Sequence, residues 1–342
     1  MWLSCSSVGR KFVMALTGAC LVLFVTFHCV MNAVAICWPV AYNSICEFLG
    51  ANWYALVASV GLAVLFIIHI IYAVMLTVQN RRARGSERYA ISKRPKGVEW
   101  SSQNMLVLGI VILAFLVVHL IQFWAKMQLQ EIRGVHETLP PAAGTLFIQE
   151  AFSQVYTPIV YIIGFIALWF HFNHGFWSMF QSIGWDNQVW IERLKKIGCV
   201  WTSVVVLLFV AQAIVFTVKA HDKYYLKNEA LREQYKDMIP AMLEKDFGPD
   251  AAQIGLQIRM SPYEQVSGGL RQMEQGTRAQ AEQAKNSPEF EAMVKNNPEM
   301  AKQIESMAQR AEALGRAVAL LDYLEMKDNQ PSEVNPNVQP SN

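Results

Sequence analysis

Five stretches of this 342-residue chain are apolar on all sides. Each is about 20 residues or longer, the length that crosses the hydrocarbon core of a bilayer. They run roughly 12–36, 54–78, 104–125, 156–180 and 199–219. Each predicts a transmembrane helix, because a helix with no polar face has no stable place at a water-exposed protein surface. The first reads as a retained span rather than a cleaved leader. It is too long for a signal h-region and has no small-x-small cleavage site before its end. After residue 219 the pattern changes, and residues 220–342 are polar and mostly helical in spacing. Met, Ile, Ala and Leu recur at helical intervals over 299–326, so one face of that stretch is expected to pack. Asn286, Ser287 and Pro288 ahead of Glu289, and Asn297 and Pro298 ahead of Glu299, read as helix starts with Pro in the first turn. The closing QPSEVNPNVQPSN reads as disordered.

Composition supports this division. Charged residues are 16% of the chain, against about 25% in soluble proteins. Residues 1–218 carry 14 Lys or Arg and 8 Asp or Glu, a balance of +6; residues 219–342 carry 15 and 19, a balance of −4. The basic excess lies beside apolar spans, where it sets orientation, and does not suggest nucleic acid. Arg10 and Lys11 precede span 1. Arg81, Arg82, Arg84, Arg88, Lys93, Arg94 and Lys96 fill the second linker, and Arg193, Lys195 and Lys196 the fourth. The expected topology is therefore a cytoplasmic N-terminus and a C-terminal extension on the opposite side of the membrane. Trp38, Trp53, Trp100, Trp124, Tyr156 and Trp185 near the span ends fit an interfacial belt. The six cysteines include no CxxC and no CxxCH. Cys20 and Cys29 read as small buried hydrophobes. Cys37 and Cys46, at the outer face, are expected as free thiols rather than a disulfide.

Chemistry enters with the histidines. His28, His69, His119 and His171 occur one per span in spans 1 to 4, with His174 a second in span 4 and none in span 5. Ionisable side chains inside a membrane are costly and usually functional. At about 1.5 Å rise per residue, His28 and His119 lie about 6–7 Å outward of their span centres, and His69 and His171 about 4–5 Å inward. The four form two same-depth pairs roughly 11 Å apart along the membrane normal. Each pair has what one heme iron needs, two axial imidazoles and no open site for O₂. Gly18, Gly61, Gly109 and Gly164 recur in the same helices at the opposite level from each histidine. They either leave room for a flat macrocycle or serve helix contacts, where small residues are common. His174 is a rival to His171 but lies about 9 Å inward, nearer an aqueous edge.

The stretches SSVGRKFVMALTG (6–18), Phe27–His28, HIIYAVMLTVQNRRAR (69–84), VVHLIQFW (117–124) and FHFNHGFWSMFQSIGW (170–185) carry a family resemblance. The chain resembles the single-chain diheme cytochrome b subunit of succinate:quinone oxidoreductases (succinate dehydrogenase or fumarate reductase) over roughly residues 4–219. The resemblance implies an all-α integral membrane protein, with five transmembrane helices, four of them forming a diheme bundle. It implies His28 and His119 as ligands of the distal heme b, and His69 and His171 as ligands of the proximal one. The implied partners are a flavoprotein subunit with FAD, an iron–sulfur subunit, membrane lipid and a quinone, commonly menaquinone. The direction of working, succinate oxidation or fumarate reduction, is not implied. Two features depart from the family. Trp169 stands where some diheme fumarate reductases carry a glutamate of a proton path, and the tail after span 5 has no counterpart in the family core.

Further roles follow from chemistry. Heme propionates want cationic or hydroxyl donors at helix ends, and the inner candidates are Ser7, Arg10, Lys11, Arg81, Trp100, Ser101 and Gln181. The arginines also serve as topology signals. Glu47, the only acid between spans 1 and 2, is the candidate for quinone proton exchange. The alternatives are another diheme cytochrome, of hydrogenase or b561 type, and a heme-free scaffold with packing histidines.

Overall fold

A computed structural model of the chain describes residues 6–84, 99–133, 138–185, 187–286 and 298–325. Among them every regular element is helical. Five helices are long and apolar enough to cross a membrane: α1 (Ser7–Cys37), α3 (Trp53–Arg84), α4 (Trp100–His119), α7 (Tyr156–Ser182) and α8 (Gln188–His221). α4 continues through a π-helical turn, Leu120–Trp124. Polar side chains cap α1 and α8, which begin ahead of their apolar stretches. Ser6 Oγ accepts from Gly9 N (2.9 Å) at α1, and Asn187 Oδ1 accepts from Trp190 N (2.9 Å) at α8. Such side-chain caps satisfy first-turn N–H groups that have no intrahelical acceptor.

α1, α3, α4 and α7 form a ring in that order, closed by packing of α7 against α1. α1 and α4 face each other across one diagonal, and α3 and α7 across the other. α8, the span without a candidate ligand, lies outside the ring against α1 and α7. Two of its polar groups fasten it to α1. Gln212 Nε2 donates to Cys29 O (2.9 Å), and Lys219 Nζ donates to Ile36 O (2.7 Å), a carbonyl in the last turn of α1.

Shorter helices cover the end of the bundle where α1 finishes and α3 begins: α2 (Pro39–Ala51), α5 (Gln128–Arg133) and α6 (Gly144–Phe152). α2 starts with Pro in its first turn. Glu47 thus sits on a helix and not in an irregular linker. α6 has no side-chain cap of its own. Asn43 of α2 supplies one from outside, Oδ1 accepting from Thr145 N (2.9 Å) and from Thr145 Oγ1 (2.8 Å). A Cβ on Gly144 would stand 2.5 Å from Cys46 Sγ and 2.8 Å from Tyr42 Cε1, so only glycine lets α6 come this close to α2.

Beyond α8, Lys223 turns the chain at φ 53° into α9 (Tyr224–Lys227), α10 (Glu229–Phe247), α11 (Asp250–Met260), α12 (Tyr263–Lys285) and α13 (Pro298–Glu325). Leu231, Tyr235, Ile239 and Leu243 recur every four residues on α10 and are fully buried, as are Leu314, Leu320, Leu321 and Leu324 on α13. Each such leucine or isoleucine contributes about 1.5–3 kcal/mol by leaving water. The extension is a packed helical unit, and its core is continuous with residues of α6 and α8. α13 begins at Pro298, where Asn297–Pro298–Glu299 predicts a start. Asn286 of the start predicted at 286–288 caps the end of α12, while Ser287, Pro288, the closing segment, and Arg88, Lys93, Arg94 and Lys96 lie outside the described residues.

The cysteines of α1 and α2 are free, with Cys37 exposed at the end of α1. Burial pushes the Cys46 thiol up to about 12. The thiolate is the reactive form, so Cys46 is expected to resist modification at pH 8, whereas Cys37 is exposed to reagent. Maleimide labelling followed by peptide mapping checks this. The expected outcome is modification at Cys37 and protection at Cys46 until the protein is unfolded.

Candidate functional site

The ring of helices brings its histidines together as two pairs, one on each diagonal. His28 and His119 have ring centroids 5.8 Å apart, and His69 and His171 6.4 Å. Two imidazoles bound to one metal ion on opposite sides stand about 6 Å apart between ring centres, given metal–nitrogen bonds of about 2 Å. Both separations match that spacing. Among the described residues no three His, Cys, Asp or Glu side chains converge as a metal cage. The arrangement offers ligands two at a time.

Hydrogen bonds hold Nδ1 of two of the four rings. Gln122, in the π turn just after His119, donates from Nε2 to Thr157 Oγ1 (2.9 Å), so its Oε1 is the acceptor for Tyr161 OH (3.1 Å). Tyr161 has then used its proton and can only accept from His119 Nδ1 (3.1 Å). His119 carries its proton on Nδ1, which leaves the Nε2 lone pair bare. At His69, Nδ1 lies 3.2 Å from Thr17 Oγ1, which also reaches Val13 O (2.9 Å) and Met14 O (3.1 Å); with its proton on either carbonyl, Thr17 accepts from Nδ1 and leaves Nε2 bare. Holding one ring nitrogen by a hydrogen bond while the other faces a metal is the usual way a protein orients an imidazole ligand.

The other member of each pair is held differently. Asn32 Nδ2 lies 3.3 Å from both ring nitrogens of His28 and donates to the His28 carbonyl (2.8 Å). It steadies the ring without choosing a tautomer. Phe24 stacks on His28 at 5.4 Å, and Phe209 of α8 stands at 6.4 Å. His171 Nδ1 is buried and has no hydrogen-bond partner among the described residues. A buried polar atom left alone costs about 1–3 kcal/mol, and no described group competes for it.

His174 is occupied elsewhere. Its Nδ1 lies 3.2 Å from Glu99 Oε2, just before α4, and its ring meets Trp177 edge-on at 4.9 Å. Of the two rivals, His171 faces His69 and His174 does not. Trp169 Nε1 donates to Ser203 Oγ (3.0 Å) on α8.

The four glycines are not equivalent. Gly18 adjoins His69, whose Cε1 would lie 3.7 Å from a Cβ there. Gly61 on α3 and Gly109 on α4 have nothing within 4 Å among the described residues. Gly164 is covered by the Phe115 ring, so it serves the contact of α4 with α7. α3 has no buried residue across its apolar window. Gly61, Gly109 and the apolar window of α3 are thus uncovered by other described residues. The donor set and the pair spacing fit two bis-imidazole hemes.

The remaining candidates gather at two ends. Ser7, Arg10, Lys11, Arg81, Trp100, Ser101 and Gln181 stand where α1 and α4 begin and α3 and α7 end, the end nearer His69 and His171. Ser101 is buried, Arg10 half-buried, and Lys11, Arg81 and Gln181 exposed. Glu47 is exposed on α2 at the opposite end and has no hydrogen bond or ion pair among the described residues. Thr17, Asn32, Gln122 and Tyr161 are additions from the structure. Asn32 was readable as the i+4 neighbour of His28 on the same helix face; the others needed tertiary contacts. No protein family, curated protein or solved structure matches the chain.

Proposed function

We propose that this chain is the diheme cytochrome b anchor of a succinate dehydrogenase or fumarate reductase. It would pass electrons between an iron–sulfur subunit and a membrane quinone, menaquinone in the favoured reading. The observation that carries this reading is the pair of crossed histidine diagonals, each at the spacing of two axial ligands. His28 with His119 would hold one b heme, and His69 with His171 the other. When bound, these groups supply reversible one-electron redox centres in the apolar bundle. Tyr161 and Thr17 keep His119 and His69 in the ligating tautomer. The surrounding Phe24, Phe115, Phe165 and Phe209 keep water from the His28–His119 level. Arg10, Lys11, Arg81, Ser101 and Gln181 stand at the end where propionates would meet donors. The same end carries the basic segments that suit docking of the iron–sulfur and flavoprotein subunits in the cytoplasm.

Dicarboxylate chemistry belongs to the flavoprotein in this scheme, and the anchor handles electrons and quinone. Affinity purification of the chain from its native membrane is expected to bring a flavoprotein with FAD and an iron–sulfur protein in equal amounts. Recovery with a hydrogenase, or with neither subunit, would contradict the assignment.

Glu47 is the proposed proton-exchanging group at the quinone. Glu150, on the same covering layer, is tied to Lys126 (2.5 Å). Glu47→Gln is expected to abolish quinol oxidation while both hemes remain, as read by quinol-dependent heme reduction and heme content. Normal turnover in that variant sinks the role.

A further inference from the structure

The extension after α8 reaches His28 through two sets of hydrogen bonds that meet at adjacent residues of α2, Asn43 and Tyr42. Thr145 Oγ1 lies 2.7 Å from Tyr235 OH and 2.8 Å from Asn43 Oδ1, and Tyr235 OH also reaches Tyr225 O (3.3 Å). Asn43 Nδ2 donates onward to Gln234 Oε1 (3.0 Å), and Gln234 Nε2 donates to Val40 O (3.0 Å). Two residues of α10 therefore grip α2 and α6 through Asn43, which is fully buried. The neighbour of Asn43 points the other way: Tyr42 OH donates to Asn32 Oδ1 (3.0 Å). That bond orients the Asn32 amide, whose nitrogen then lies against both ring nitrogens of His28. Among the described residues no comparable line reaches His69, whose Nδ1 meets Thr17 within the bundle.

We infer that the C-terminal extension is a built-in clamp that sets the orientation of His28 through Tyr235, Thr145, Asn43, Tyr42 and Asn32. The inference rests on the reading of His28 as a heme ligand. Residues 42, 32 and 235 are positioning residues that act through the imidazole. The orientation and hydrogen bonding of an axial imidazole tune the potential and spectrum of its iron. The clamp therefore acts on one heme and spares the other.

The test uses the full chain with Tyr42→Phe and Tyr235→Phe, each deleting one hydroxyl and keeping the ring. Three readouts are taken: the electron paramagnetic resonance signals of the two oxidised hemes, their redox titration, and trypsin cleavage of the extension. Tyr42→Phe is expected to move the signal and midpoint of one heme, leave the other in place, and leave cleavage at the parental rate. Tyr235→Phe is expected to raise cleavage several-fold and to move the signal of the same heme. Unchanged heme signals in both variants, or equal movement of both hemes, would overturn the inference. A parental protein with no b-type absorbance instead overturns the heme reading, a separate and recognisable failure.

Discussion

Replacing His28 or His119 with alanine is expected to remove one b heme and leave the second; replacing His69 or His171 is expected to do the reverse. Heme per chain should fall from about two to about one in each case, because a single axial imidazole in an apolar bundle holds the macrocycle poorly. Pyridine hemochrome content per chain checks it. The pairing gives the prediction its content. His28 and His119 variants must lose the same spectral component, since their rings lie 5.8 Å apart across one diagonal. His69 and His171 variants must lose the other. His174→Ala is expected to keep both hemes, because that ring is engaged by Glu99 and Trp177. Loss of a heme in His174→Ala with retention in His171→Ala would reverse the assignment of the fourth ligand.

The largest expected effect on stability is at Asn43. Its side chain accepts from Thr145 N and Thr145 Oγ1 and donates to Gln234 Oε1, with no solvent exposure. Asn43→Leu keeps the volume roughly constant and leaves the Thr145 N–H and the Gln234 carbonyl without partners. A buried unsatisfied group costs about 1–3 kcal/mol. Gln234 is only half-buried and regains some solvent, so the total is expected at about 2–4 kcal/mol. Asn104→Ala is the contrast. Asn104 makes one exposed bond to its own helix, Nδ2 to Trp100 O, and substitutions of that kind stay within about 0.5 kcal/mol. Denaturant unfolding of both variants in detergent checks the difference; equal stability would show that the seam between α2, α6 and α10 carries no weight.

The spans were legible in the sequence because a helix facing lipid must be apolar all round, and that needs no tertiary information. The depth pairing was legible for a similar reason: rise per residue is fixed, so position along a helix becomes height. Histidines placed at matching heights by counting face each other across the bundle. What counting could not give is the rotation of each helix, which decides what stands beside an imidazole. Thr17 and Tyr161 are i−52 and i+42 from the rings they hold, and no local pattern marks such pairs. Gly164 shows the same limit. Its height suits macrocycle clearance, yet its missing Cβ admits Phe115. The covering helices α2 and α6 were missed because each is short and sparsely charged. Pro39 in the first turn was the readable sign of α2. α6 takes its cap from Asn43, about a hundred residues away, and carries no sign of its own.

The extension was legible only as polar and helical. Its spacing over 299–326 announced a packing face but not the partner on that face. The partner lies within the same chain: α13 closes on α10, and α10 reaches back to α2 and α6. A segment read from the sequence only as polar and mostly helical is therefore joined by hydrogen bonds to the helices that cover the bundle.

The central claim is that the two histidine diagonals each hold a b heme. The most direct measurement is the reduced-minus-oxidised absorbance spectrum of the purified chain, with heme quantified per polypeptide. The account predicts b-type bands and about two hemes per chain. Absence of a b-type band in protein made under heme-replete conditions, with the bundle folded, would contradict it.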